Sequence, residues 1–74
     1  MYNKIIKQER KERMKQRDLI KKLLKAGFEF SHHGGNHDTY KRYHDDGTVD
    51  IEQVPRHREI DENLAKRIMR KWGL

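Results

Sequence analysis

Cysteine is absent from the 74 residues. No disulfide can therefore staple the chain, and thiolate metal sites and cysteine nucleophiles are excluded. Proline occurs once, at Pro55, and no apolar run is longer than two residues. The shortness of those runs argues against a membrane-spanning helix and against the apolar core of a secretory signal, so a soluble cytoplasmic protein is expected. Hydrophobic residues make up only 32% of the chain and charged residues 41%. A chain this short buries about 60% of its unfolded surface, enough for one core and not two. Positive charge is in excess: 18 Lys and Arg against 12 Asp and Glu give a net +6. A small body with that balance attracts polyanions, which points to RNA, DNA or an acidic protein as partner.

Composition changes once, near Met14. Between Lys7 and Asp18 the only apolar residue is Met14, so residues 1–13 read as a charged N-terminal arm and residues 14–74 as the folded domain. From Gln16 onward Leu19, Ile20, Leu23 and Leu24 recur along one stripe of a helix, which Gly27 is suited to end. Phe28 and Phe30 alternate with polar residues as in a half-buried strand, broken at Gly34-Gly35-Asn36. A second strand is expected over 37–44. Asp46-Gly47 then marks a hairpin, and a third strand runs from Thr48 to Val54, where Pro55 stops it. Asp61 is a suitable N-cap for a last helix carrying Leu64, Ala65, Ile68, Met69 and Trp72.

The expected order is α-β-β-β-α, an α+β fold with a three-stranded antiparallel sheet and both helices on one face. A three-residue loop at 34–36 would place His33 opposite His37 and Phe30 opposite Tyr40. A two-residue turn at Asp46-Gly47 would place Arg42 opposite Ile51 and His44 opposite Val49. In that register Phe28, Phe30, Tyr40, Val49 and Ile51 face the helices, while His33, His37, Thr39, Lys41 and Tyr43 face solvent. Such a meander has the architecture of double-stranded-RNA-binding domains, a fold analogy that does not by itself give a function.

Five histidines are present, and His32, His33 and His37 bracket the glycine turn. An exposed histidine at a strand end is most often merely solvated. His37 stands apart because it follows a flexible turn, lies on the polar face and is expected to be surrounded by Lys41, Arg42 and Tyr43. An imidazole in basic surroundings is the minimum for RNA cleavage by attack of the 2′-hydroxyl on the adjacent phosphorus, with a base, an acid and cations to hold the developing charge. That reaction requires no metal or other cofactor. A zinc site across the first hairpin is disfavoured, because the expected register sends His32 and His44 to one face and His33 and His37 to the other. Gly34 and Gly35 suit a tight turn, and at such a turn a backbone without side chains also admits a phosphate. Arg56, His57 and Arg58 form a basic segment expected near the N-terminus of the last helix.

Four segments carry a resemblance: LIKKLLKAGF at 19–28, GGNH at 34–37 with Tyr40 three positions on, VPRH at 54–57 and NLAKRIMRKWGL at 63–74. In this order they resemble the HicA toxins, also called YcfA-like mRNA interferases. The resemblance implies a double-stranded-RNA-binding-like fold and a ribosome-independent endoribonuclease that cleaves mRNA. It further implies inhibition by a HicB-type antitoxin, with operator DNA contacted only through the antitoxin complex. The essential histidine of that family falls on His37, with Gly35 and Asn36 as its motif neighbours; asparagine stands where many members carry serine. Lys41, Arg42, Arg56 and His57 are the further candidates for RNA contact. The general acid is left open among His33, Lys41 and His57. Two other readings use the same features: a module that binds RNA without cutting it, and a DNA-binding component of an autoregulatory complex. The last helix offers few base-reading side chains beyond Arg67 and Arg70, which counts against the second.

Overall fold

The computed structural model describes residues 13–74. Of the arm expected over 1–13, all but Arg13 lies outside the described residues. The elements are β1 (Arg13–Lys15), α1 (Gln16–Lys25), β2 (Glu29–His33), β3 (His37–Tyr43), β4 (Val49–Pro55), β5 (Glu59–Asp61) and α2 (Glu62–Trp72). Strands β2, β3 and β4 form an antiparallel meander in that order. The α-β-β-β-α frame is therefore present, with one addition.

That addition is a two-stranded sheet in which Met14 of β1 pairs with Ile60 of β5. It was not expected. Each strand is a polar-apolar-polar triplet, too short to register as a period of two, and each turns its single apolar residue inward. Ile60 is 2% exposed, and Met14 packs against the main core.

Helix α1 ends where Gly27 takes φ +100°, and α2 ends at Gly73 with φ +73°. The Asp61 carboxylate accepts a hydrogen bond from the Asn63 amide at 3.0 Å, capping α2 as expected. The core joins Leu19 and Leu23 of α1, Ala65 and Ile68 of α2, Phe28, Ile60, and Tyr40 and Val54 from the helix-facing side of the meander. Both helices thus cover one face.

The strand registers differ from expectation at two places. In the first hairpin Phe30 does pair with Tyr40, but an irregularity between Phe30 and His32 then shifts the pairing by one. His33 stands opposite Asp38 as a result, not opposite His37. In the second hairpin Tyr43 pairs with Val49 and Lys41 with Ile51, so the loop holds three residues, Asp45 to Gly47, instead of two. Asp46 lengthens the turn by accepting from both the amide and the hydroxyl of Thr48, at 2.9 and 2.7 Å, and Gly47 adopts φ +91°.

A one-residue slip reverses every side chain of a strand. Val49 and Ile51, expected inside, are 39% and 50% exposed on the open face, and Asp50 and Glu52 turn toward the helices instead. Both acids have partners there. Asp50 accepts from Arg42 and His44, and Glu52 accepts from the Trp72 indole N–H at 2.8 Å.

Candidate functional site

His37 is the first residue of β3 and is exposed. Its backbone is held from both sides. The Gly34 amide donates to the His37 carbonyl at 2.7 Å across the turn, and His37 pairs with Pro55 at the end of β4. Pro55 is itself fixed: its carbonyl accepts from the Gln16 side chain at 2.8 Å, while the Gln16 amide donates to the Arg58 carbonyl at 2.9 Å. The first residue of α1 therefore anchors the strand end beside the candidate histidine, a role that nothing in the local sequence signals.

The segment after β4 returns past the glycine turn. The Arg56 amide donates to the Asn36 carbonyl at 3.1 Å. His37 and His57 together line two open grooves. One is completed by Asn36 and Arg56, and the other by Pro55, Ile60 and Leu64 with residues of β1 and β5. Five of the expected site residues, Gly35, Asn36, His37, Arg56 and His57, are thus gathered at one end of the meander, brought there by the turn and by the end of β4.

Gly35 has nothing within 4 Å of a Cβ placed on it, and its φ lies outside the left-handed region. Neither packing nor backbone conformation calls for glycine at this position, so the bare backbone there is open to an approaching group. Gly34 differs, since a Cβ on it would meet the His37 carbonyl oxygen at 3.2 Å.

Lys41 lies on the same face of β3 as His37 but four residues along, about 13 Å at the rise of an extended strand. Arg42 is on the opposite face, which corrects the expectation that it surrounds His37. Its guanidinium donates to Asp50 through Nε and Nη2 and to the Ala26 carbonyl through Nη1 at 3.0 Å, and it stacks 4.6 Å from the Phe28 ring centroid. It ties α1 to the sheet.

His33 is also corrected: its Nδ1 lies 2.6 Å from Asp38 Oδ1, on the face away from His37. Arg58 lies beside Lys15 and Arg17 at the start of α1. Among the described residues no three His, Asp or Glu side chains come together as a metal-ligand group. No helix among them is long and apolar enough to cross a membrane.

Burial pushes the Tyr40 hydroxyl above its usual pKa, and the neighbouring Asp38 charge adds to the shift, so Tyr40 is a neutral core residue.

In class, this is a small α+β domain whose two helices cover one side of a three-stranded meander and whose one sheet end carries a histidine-lined, glycine-flanked groove. The family described as HicA toxin of bacterial toxin-antitoxin matches residues 16–74, and the chain belongs to that family. No curated protein and no solved structure matches the chain. Membership makes it a toxin-family protein, for which an antitoxin partner is implied.

Proposed function

We propose that this chain is a ribosome-independent endoribonuclease that cleaves mRNA by histidine acid–base catalysis and is neutralised by a HicB-type antitoxin. The observation that carries this reading is the pairing of His37 and His57 along shared grooves beside the open backbone of Gly35. Two imidazoles supply what phosphodiester transesterification needs: one takes the 2′-hydroxyl proton as the oxygen attacks phosphorus, and the other protonates the departing 5′-oxygen. His37 is assigned as one member of the pair.

Of the three candidates for the second member, His57 is favoured. His33 is engaged by Asp38 on the far face, and Lys41 is displaced along the strand. Arg56, together with the amides of the turn, is suited to holding the phosphate as charge builds on its oxygens. Gly35 and Asn36 would let the strand approach, and Lys41 would bind it further along the open face. Arg42 is better explained by its structural contacts. Operator DNA would be met through the antitoxin complex.

The test is incubation of labelled single-stranded RNA with the protein in the presence of a chelator, beside His37→Ala and His57→Ala. Cleavage that persists in chelator and falls about 10²–10⁴-fold in each variant is expected. Retained RNA binding without cleavage by the unaltered protein would identify a binding module and overturn the nuclease reading.

A further inference from the structure

His37 is exposed at a turn of small residues, and a group so placed drifts unless something fixes the turn. A single carboxylate next to it in the chain meets that need. We propose that Asp38 is a positioning residue: tied to His33 and facing Arg56, it fixes the Gly34–Asn36 turn and with it the placement of the His37 imidazole. The inference rests on the reading of His37 as an acid–base group.

The register irregularity in β2 makes the arrangement possible. Without it, continuation of the Phe30–Tyr40 pairing would set His33 opposite His37. With it, His33 meets Asp38 across the strands. Bulges beside functional sites commonly re-aim one side chain in this way. The His33 ring is steadied by Phe30, 4.8 Å away between centroids, and its Nδ1 lies 2.6 Å from Asp38 Oδ1. The imidazole side chain is 65% exposed but the carboxylate only 13%. A sheltered carboxylate is costly without partners, so Asp38 holds its neighbours as much as they hold it.

The same carboxylate oxygen also faces the residue that follows β4. Arg56 Nη1 is 3.9 Å from the same Oδ1, and Nη2 is 3.4 Å from the Gly35 carbonyl, a long contact that aligns the guanidinium with the turn. The Arg56 amide bonds to the Asn36 carbonyl, and the Gly34 amide bonds to the His37 carbonyl. Residues 34 to 38 are therefore linked to β2 on one side and to the end of β4 on the other. Asp38 lies where the two sets of links meet. Its side chain lies on the helix side of the sheet and that of His37 on the opposite side, so the linkage leaves the imidazole free to meet a substrate.

The test compares the unaltered full chain with Asp38→Ala, Asp38→Asn, His33→Ala and the double Ala variant, in two readouts. The first is steady-state cleavage of an RNA oligonucleotide. Misplacement of a catalytic group by an ångström costs up to about 10²-fold, so kcat of Asp38→Ala should fall roughly 10- to 100-fold while KM changes less than about threefold. Asp38→Asn keeps an acceptor for His33 and should recover most of that loss. The double variant should be no slower than Asp38→Ala, because His33 acts on the turn only through Asp38.

The second readout is amide hydrogen exchange, which needs no activity. The Gly34 and Arg56 amides should exchange roughly tenfold faster in Asp38→Ala, while the Phe28 amide, bonded to Leu23, keeps its protection. Unchanged exchange at Gly34 and Arg56 overturns the proposal. So does a kcat within about twofold of the unaltered protein, or a loss that Asn does not repair. If the unaltered protein cleaves no RNA, the nuclease reading has failed, and the exchange arm alone decides whether Asp38 fixes the turn. Should Asp38→Ala unfold, His33→Ala tests the β2 link alone: the Gly34 amide should exchange severalfold faster, and unchanged exchange there overturns the proposal.

Discussion

Arg42 donates two hydrogen bonds to one oxygen of Asp50, from Nε at 2.9 Å and from Nη2 at 2.7 Å, and His44 Nε2 lies 2.8 Å from the same atom. The carboxylate is the meeting point of two strands and the loop between them. Through the third donor of Arg42 it also reaches the end of α1. Charge here fills the place at the end of the core where the sequence suggested Val49 and Ile51.

Arg42→Ala removes three charge-assisted hydrogen bonds and the stacking on Phe28 at once. The site is about a quarter exposed, so water takes over part of the loss. We expect a fall of about 2 kcal/mol in unfolding free energy, read by urea denaturation, without a change in the salt dependence of RNA binding.

Acid should weaken the same linkage. Hydrogen bonds from His44 first and then Arg42 hold the Asp50 carboxyl below its usual 3.8, and Thr48 holds Asp46 below the same value. A lowered folded-state pKa means that the unfolded chain binds protons more readily. The stabilisation is thus complete above the unfolded value and is lost as pH falls through the folded one. Thermal unfolding followed between pH 6 and pH 2 should show Tm falling below about pH 4, and Asp50→Asn should flatten that fall.

Glycine substitutions separate turn chemistry from substrate approach. Gly47 has φ +91°, a conformation that alanine resists, and Gly47→Ala should cost about 1 kcal/mol while leaving RNA binding intact. Gly35→Ala should leave Tm nearly unchanged, since its Cβ meets nothing in the protein. If an RNA backbone passes close to Gly35, the same variant should raise KM for an RNA oligonucleotide severalfold. An unaltered KM would place the RNA elsewhere.

Helix ends, the cap of α2 and the order of the α-β-β-β-α frame were legible because each rests on a local signal: the spacing of Leu19 and Leu23, Gly27 and Gly73 past helix ends, Asp61 before a helix. The triplets β1 and β5 carry no such signal. Faces were less legible. Phe30 stands opposite Tyr40 as a three-residue turn would have it, but through a turn one residue longer offset by the extra residue between Phe30 and His32, which has no marker in a run of Ser and His and moves His33 away from His37. Asp-Gly marked the second hairpin correctly. Its length was set by the Asp46–Thr48 hydrogen bonds, which lie outside the two-residue rule. The candidate site was legible in part. Gly35, Asn36, His37, Arg56 and His57 do converge, whereas Asp38 and Gln16, which hold them, look like ordinary polar positions on a strand and a helix.

Salt dependence should distinguish the neighbouring cations of β3. Lys41 lies on the open face, and a residue that neutralises one phosphate releases about one counterion. Lys41→Ala should therefore reduce the slope of log Kd against log salt by about 1, measured with an RNA that His37→Ala cannot cut. Arg42→Ala should leave the slope alone. The opposite pattern would put the RNA on the helix side of the sheet.

The family match begins at Gln16, immediately after β1, so the strand lies before the matched segment. Its contribution can be measured by comparing a chain starting at Arg13 with one starting at Gln16. The shorter chain loses the Met14–Ile60 pairing and the Arg13–Glu59 contact at 3.7 Å, and it uncovers part of Ile60, which is 2% exposed when β1 is in place. The exposed ion pair contributes little. Loss of Met14 packing and partial exposure of Ile60 should lower stability by about 2 kcal/mol, which in a domain of this size corresponds to a drop in Tm of roughly 8–16 °C. Because Ile60 also lines the groove shared by His37 and His57, cleavage by the shorter chain should fall even below its Tm. A shorter chain with unchanged Tm and unchanged cleavage would show that β5 holds its place through α2 alone.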